Sequence, residues 1–128
     1  MRKEHGEHNE ELCEKIQNLT GYDDWVITTA FYACIHFVEH KLFPLTEGSA
    51  TYQTFDKYYH DTVRTQGKHI DKHSTKHQLV KANLPAIANN YKRLMDNCFK
   101  ARYRNYRMGH VLSEIALKDM KAVKAECI

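Results

Sequence analysis

The feature that most constrains the fold of this chain is a run of apolar residues at helical spacing within residues 85–106. These residues recur at i, i+4, i+7, i+8, i+11 and i+12, and they are Ile87, Tyr91, Leu94, Met95, Cys98 and Phe99. Pro85 suits the first turn of a helix, where no backbone N–H is needed. We therefore expect a helix from Pro85 to about Tyr106, with a stop near Gly109.

Most of the remaining chain also shows helical spacing. Further helices are predicted near residues 7–20, 25–42, 52–63 and 112–123, with a loop over residues 43–50. The helix over residues 25–42 carries apolar or aromatic side chains nearly all around, which predicts a central, buried position. Asp23 or Asp24 is expected to cap it. With 128 residues, 5 glycines and 2 prolines, the expected fold is all-α: one domain over residues 1–128, an up-and-down helical bundle of about five helices.

The cysteines and the hydropathy pattern bear on the cellular setting. Four cysteines are far apart and form no C-x-x-C pair: Cys13, Cys34, Cys98 and Cys127. No secretory or transit segment is recognised at the start, so we expect reduced thiols and a cytoplasmic location. The most apolar stretch, within residues 25–38, is broken by threonines, a tyrosine and His36, so no membrane insertion is expected.

Charge is distributed unevenly along the chain. The net charge is +3, yet residues 1–63 hold 5 Lys/Arg against 11 Asp/Glu, and residues 64–107 hold 11 against 2. We call residues 64–107 the basic block and residues 1–63 the acidic front. A segment with so much positive charge is typical of proteins that bind a polyanion such as RNA. Two alternatives stay open. The acidic front can pack beside the basic block and neutralise it, or it can meet the basic block of a second copy.

The start of the basic block is rich in lysine and histidine. If residues 68–77 are helical, Lys68, Lys72 and Lys76 form one row. His69, His73 and His77 form the adjoining row. This face suits contacts with nucleic-acid phosphates, and the alternative is a solvated basic surface.

Residues 36–40 fit the H-x-x-E-H pattern of inverted zinc peptidases, in which two histidines bind zinc and a glutamate activates water. The residues are His36, Glu39 and His40. A third ligand cannot be identified, and a chain with 9 histidines produces such patterns by chance. Polar contacts within a crowded helix are the favoured interpretation, and we expect neither a metal ion nor a cofactor.

The basic block ends in Arg102-Tyr103-Arg104-Asn105-Tyr106-Arg107-Met108-Gly109-His110. A histidine transfers protons near neutral pH, and a guanidinium can hold a phosphate while charge develops on it. An amide between them can orient either group. This combination suits phosphodiester chemistry on RNA.

Arg104, Asn105 and His110 resemble the R-x(4 to 6)-H motif of the HEPN superfamily (higher eukaryote and prokaryote nucleotide-binding domains), whose nuclease members often carry Asn after the arginine. Arg2 to His8 and Arg64 to His69 also have this spacing, but neither has the Asn. The tryptophan-led segment at residues 25–42 also resembles these proteins. So does the stretch from Lys76-His77 through the proline-led helix to Ala101-Arg102-Tyr103.

The resemblance implies a metal-independent endoribonuclease that acts as a homodimer, with the ribose 2′-hydroxyl attacking the adjacent phosphate. His110 would be the general acid or base, Arg104 would stabilise the phosphorane charge, and Asn105 would orient either group. Arg102 and Arg107, with the lysine row, would contact the RNA. Such a protein is expected to be a toxin neutralised by a protein antitoxin, or a defence effector. The alternative is a non-catalytic HEPN module for RNA or nucleotide binding or for assembly.

Overall fold

The computed structural model describes residues 2–128, which form six α-helices and one two-stranded sheet. The helices are α1 (Arg2–Gln17), α2 (Asp23–Leu42), α3 (Phe55–Tyr59), α4 (Lys72–Asn83), α5 (Ala88–Tyr103) and α6 (His110–Cys127). A π-helical turn, His60–Arg64, extends α3, and a 3₁₀ turn, Pro85–Ile87, leads into α5. The prediction of an all-α, single-domain helical bundle is confirmed. No helix within residues 2–128 has the length and apolar character needed to cross a bilayer.

Helix α2 is the centre of the bundle, as its encircling apolar residues predict. It packs against α1, α5 and α6, and its side chains from Val26 to Ala30 are all buried. Gly6 lets α1 approach closely, because a Cβ at that position would lie 2.6 Å from the Phe37 ring. The four cysteines are free and buried.

The hairpin and the end of α5 are the main differences from the predicted boundaries, and α1 and α6 each extend beyond their predicted bounds at one or both ends. Residues 43–50, predicted as a loop, contain most of a hairpin of β1 (Leu45–Glu47) and β2 (Ala50–Tyr52). Gly48 has a φ of +61° in the two-residue turn, a conformation that glycine adopts without a steric penalty. Helix α5 ends at Tyr103, before the predicted Tyr106.

The lysine- and histidine-rich segment adds a sixth helix, α4, to the five predicted. The carboxylate of Asp71 caps it by accepting a hydrogen bond from the Ser74 backbone N–H at 2.6 Å. Lys68 lies before this cap and outside the helix. The row of three lysines was expected only if residues 68–77 are helical, and that condition holds for Lys72 and Lys76 but not for Lys68.

Candidate functional site

The segment from Arg104 to Gly109 is a loop between α5 and α6, and His110 is the first residue of α6. The Arg104 guanidinium lies over the Phe99 ring, 5.6 Å from its centroid. The amide oxygen of Asn105 accepts a hydrogen bond from the Arg107 backbone N–H at 2.9 Å. That bond shapes the loop as an Asx-type turn and draws the chain away from the helix. In the part of the chain that the structure describes, no hydrogen bond joins the side chains of Arg104, Asn105 and His110.

His110 is held between two carboxylates. Its Nδ1 lies 3.0 Å from Oδ1 of Asp23, and its Nε2 lies 3.1 Å from Oε1 of Glu114. Only the imidazolium can donate to both oxygens, because the neutral ring carries one N–H. The side chain is still 61% exposed. An oriented and accessible imidazole of this kind is able to exchange protons with a bound molecule.

Asp23 has a different role from the predicted one. It does not cap α2, whose N-terminal cap, Tyr22, makes no side-chain hydrogen bond. Its carboxylate instead accepts a hydrogen bond from the Ser113 hydroxyl at 2.8 Å and links α2 to the start of α6. Ser113 is fully buried, so the Ser113, His110 and Asp23 group is not a nucleophilic triad. The i, i+4 spacing of His110 and Glu114 was a usable sequence signal, whereas the contact with Asp23 spans 87 positions and left none.

The 11 cations of the basic block fall into two groups. Four of them pair with carboxylates of this chain: Lys72 with Asp56, Lys76 with Glu39, Lys92 with Asp96, and Arg93 with Asp119. Two of these carboxylates, Asp56 and Glu39, belong to the acidic front. The expected neutralisation within the chain therefore occurs, but it involves only part of the basic block.

Lys76 belongs to the paired group, and its burial does not favour the predicted role in nucleic-acid binding. Its side chain is 8% exposed, its ammonium lies 3.5 Å from Glu39, and it sits 4.3 Å from the centroid of the Phe55 ring. Burial lowers the pKa of Lys76, and the Glu39 carboxylate opposes that shift. Lys72 is exposed, but it already pairs with Asp56.

Two of the H-x-x-E-H residues, His36 and Glu39, contact the residues around Lys76, whereas His40 is exposed. The His36 ring stacks on His5 at a centroid distance of 3.7 Å, and its Nδ1 lies 3.3 Å from an Arg2 guanidinium nitrogen. Burial, with the nearby His5, Arg2 and Lys76, lowers the pKa of His36 to about 4. Glu39 contacts two cations, Arg2 and Lys76. Within residues 2–128 no three His, Cys, Asp or Glu side chains converge to hold a metal ion, and these contacts fit the polar-contact interpretation.

The unpaired cations concentrate at the end of α5 and in the loop that follows. The four cations there are Lys100, Arg102, Arg104 and Arg107. No carboxylate of residues 2–128 lies within ion-pair distance of any of them. Three exposed aromatic rings alternate with them: Phe99 at 51%, Tyr103 at 68% and Tyr106 at 62% exposure. We call this region the arginine–aromatic surface, formed by Phe99, Lys100, Arg102, Tyr103, Arg104, Tyr106 and Arg107.

A cleft of about 440 Å³ opens beside the arginine–aromatic surface, between α2, the start of α4 and α5. The Arg102 guanidinium lies 5.7 Å from the centroid of Tyr32 and 5.6 Å from that of Tyr103, and it donates a hydrogen bond to the Tyr32 hydroxyl. Burial raises the pKa of Tyr32, although Arg102 opposes the shift. The cleft is lined by Phe31, Tyr32, Asp71, His73, Ser74, Met95, Asp96, Cys98, Phe99, Arg102 and Tyr103. Its volume suits a small organic group.

The fold and site define an all-α bundle with an exposed cationic and aromatic surface at the end of one helix. Comparison with family models, with curated protein sequences and with solved structures finds no match to this chain.

Proposed function

We propose that this protein is a HEPN-type domain that binds single-stranded RNA through the arginine–aromatic surface. The observation that carries the proposal is the alternation of exposed rings with cations that have no carboxylate partner in residues 2–128. Lys100, Arg104 and Arg107 supply charge for phosphates, and Arg102 lines the adjoining cleft. Phe99, Tyr103 and Tyr106 offer ring faces for unstacked bases. This combination is the usual means of gripping a single strand, because every base has a π-face.

Two of the arginines already lie over rings in the free protein. Arg104 covers Phe99, and Arg107 covers Tyr106 at 5.5 Å. These contacts limit the side-chain freedom that is lost when a phosphate binds, which favours affinity. Bases paired in a duplex do not expose their faces, so we expect weaker binding of double-stranded RNA.

The direct test is fluorescence anisotropy with a labelled 12-nucleotide RNA, comparing the parent with Tyr103→Ala and Tyr103→Phe. The parent is also measured with the same RNA paired to its complement. Loss of a stacked base costs about 1–3 kcal/mol, so Tyr103→Ala should weaken binding by roughly fivefold or more. Tyr103→Phe keeps the ring and should bind like the parent. Equal weakening by both variants, or equal affinity for single and double strands, would contradict stacking.

A second candidate is cleavage of the bound RNA, favoured by the orientation and exposure of His110 beside the same loop. In this proposal His110 takes the proton from the ribose 2′-hydroxyl or gives one to the leaving 5′-oxygen. The 2′-oxygen bonds to phosphorus, the 5′-oxygen leaves, and a 2′,3′-cyclic phosphate results. The described chain makes no contact between Arg104 and His110, so their cooperation requires the motifs of two chains to meet in a homodimer.

Cleavage is tested by incubating RNA with the parent, His110→Asn and Arg104→Gln in excess chelator and analysing the ends of the products. Cyclic phosphate ends with the parent, and intact RNA with both variants, would support a metal-independent nuclease such as a toxin or a defence effector. Mixing the two inactive variants adds a sharper arm, because a composite dimer site regains activity in the mixed dimer. Intact RNA with the parent, under conditions where binding is measured, would leave RNA binding as the function.

A further inference from the structure

The cleft beside the arginine–aromatic surface contains carboxylates, which do not favour phosphate binding. Its rim carries two carboxylates, Asp71 from the cap of α4 and Asp96 from the middle of α5. The Ser74 backbone N–H lowers the pKa of Asp71, so this group is ionised at neutral pH. The Asp96 carboxylate has one oxygen 2.7 Å from the Lys92 ammonium.

These carboxylates decide which part of a nucleotide fits the cleft. A phosphate would approach two negative groups, while the positive charge lining the cleft comes from Arg102. His73 also lines the cleft, but desolvation lowers its pKa, so its ring is neutral at pH 7.5. A neutral, flat group with N–H donors suits the cleft better, and a nucleobase is such a group.

The cleft can also hold a base by its faces. Phe99 and Tyr103 stand at the opening with their ring centroids 5.2 Å apart, and both are more than half exposed. Deeper in, Phe31 packs against the His73 ring at a centroid distance of 5.7 Å. A base leaving the strand on the arginine–aromatic surface therefore has a stacking partner at the entrance.

The polar groups discriminate among the four bases. Guanine presents N1–H and a 2-amino group, both donors, next to the acceptors O6 and N7. Asp71 and Asp96 are acceptors, and the Arg102 guanidinium has five N–H donors, of which one is used by Tyr32. Adenine and cytosine offer an amino group without an adjacent ring N–H, and uracil offers a single N–H between two acceptors.

We propose that the cleft binds a guanine base of the RNA strand held on the arginine–aromatic surface. The Asp71 and Asp96 carboxylates accept hydrogen bonds from its N1–H and 2-amino group, and Arg102 donates to O6 and N7. This inference rests on the proposed function, because it supplies the base preference of that RNA site.

The test uses 12-nucleotide oligouridines that carry a single central G, A or C, compared with the all-U strand by fluorescence anisotropy. The parent should bind the G-containing strand about fivefold more tightly or better, as expected for a well-formed pair of hydrogen bonds. The variants are Asp71→Asn and Asp96→Asn. Asparagine caps a helix as well as aspartate does, so Asp71→Asn keeps α4 while it replaces an acceptor by an N–H₂ donor.

Within each variant the G-to-U affinity ratio should fall toward one. Asp56→Asn is the matched control, since Asp56 is exposed, pairs with Lys72 and does not line the cleft. It should keep the parent's ratio. Thermal unfolding of all three variants checks that they are folded. A parent ratio near one, or a ratio that survives both cleft substitutions, would overturn the guanine proposal while RNA binding stands.

A second arm separates this proposal from the function on which it rests. Guanosine and uridine monophosphates are titrated into the parent and into Asp71→Asn. No binding of any oligonucleotide, with guanosine monophosphate preferred over uridine monophosphate, would refute RNA binding and leave guanine recognition by the cleft. No preference in either arm would refute the guanine site itself.

Discussion

The buried network around Glu39 and the arginine–aromatic surface draw on the same basic block and use its charge in opposite ways. Around Glu39, Lys76 is buried between a carboxylate and the Phe55 ring. On the arginine–aromatic surface, Arg104 and Arg107 lie over rings and face solvent without a carboxylate among the described residues. The net charge of a sequence segment is thus not the charge that it can offer to a partner. Four cations of the block are already neutralised by carboxylates of this chain.

The largest effect on the free energy of unfolding is expected in the buried network around Glu39. Lys76→Ala leaves the Glu39 carboxylate buried with only the half-exposed Arg2, and the free energy of unfolding in urea should fall by about 3 kcal/mol. Adding Glu39→Gln removes the uncompensated charge, so the double variant should regain part of the loss. A Lys76→Ala protein as stable as the parent would show that the pair contributes nothing to the fold.

Arg93 should have a smaller effect of the same kind. It makes two hydrogen bonds of 2.8 and 2.6 Å to Asp119, whose side chain is buried, but about half of its own side chain is exposed. Arg93→Ala leaves Asp119 with Asn90 as a donor and should cost about 2 kcal/mol in urea unfolding. Lys92→Ala, which removes a neighbouring exposed pair, is the control and should change stability by about 0.5 kcal/mol or less.

The pH dependence of stability tests the contribution of His36 to the buried network. Its pKa is lowered to about 4 in the folded protein from an ordinary value of 6.5. The unfolded chain therefore binds more protons between these two values, and the contribution of His36 to stability is complete above pH 6.5 and is lost as pH falls toward 4. Urea midpoints at pH 7.5 and pH 5 should differ less in His36→Asn than in the parent. The exposed His40→Asn serves as control and should keep the parent's difference.

The smallest effect on stability is expected on the arginine–aromatic surface. Arg104→Gln/Arg107→Gln should unfold in urea within about 0.5 kcal/mol of the parent, as surface substitutions usually do. A much larger loss would mean that these arginines are structural cations like Lys76. In that case the distinction between the two regions would fail.

More of the fold than of the candidate site could be predicted from the sequence. The helical spacing of Ile87 to Phe99 and the encircling apolar residues of α2 were enough for the bundle and its central helix. The hairpin at β1 and β2 is short, and a single glycine was its main signal. Just beyond the early end of α5, the amide oxygen of Asn105 accepts a hydrogen bond from the Arg107 backbone N–H, a contact that helical periodicity does not register.

The candidate site could be predicted only where its contacts are local in sequence. The cluster of arginines and tyrosines at residues 102–107 is visible in the sequence, and so is the spacing of His110 and Glu114. The burial of Lys76 and the contact of His110 with Asp23 are not, because both depend on helices that meet only in the folded bundle. For the same reason the cleft, which three helices form together, left no pattern in the sequence.

The central claim, that the unpaired cations of the arginine–aromatic surface bind RNA, is tested most directly by the salt dependence of RNA affinity. The dissociation constant for a 12-nucleotide single strand is measured from 50 to 300 mM salt for the parent, for Arg104→Gln/Arg107→Gln and for Arg64→Gln/Lys81→Gln. The two double variants lose the same charge, and Arg64 and Lys81 are also exposed and unpaired within residues 2–128. The account predicts that the slope of log affinity against log salt falls by about 1.4 for Arg104→Gln/Arg107→Gln, which is about 0.7 per lost phosphate contact. The slope should stay unchanged for Arg64→Gln/Lys81→Gln. Equal slopes in the two variants would contradict the account and would mean that RNA contacts this protein through its overall charge alone.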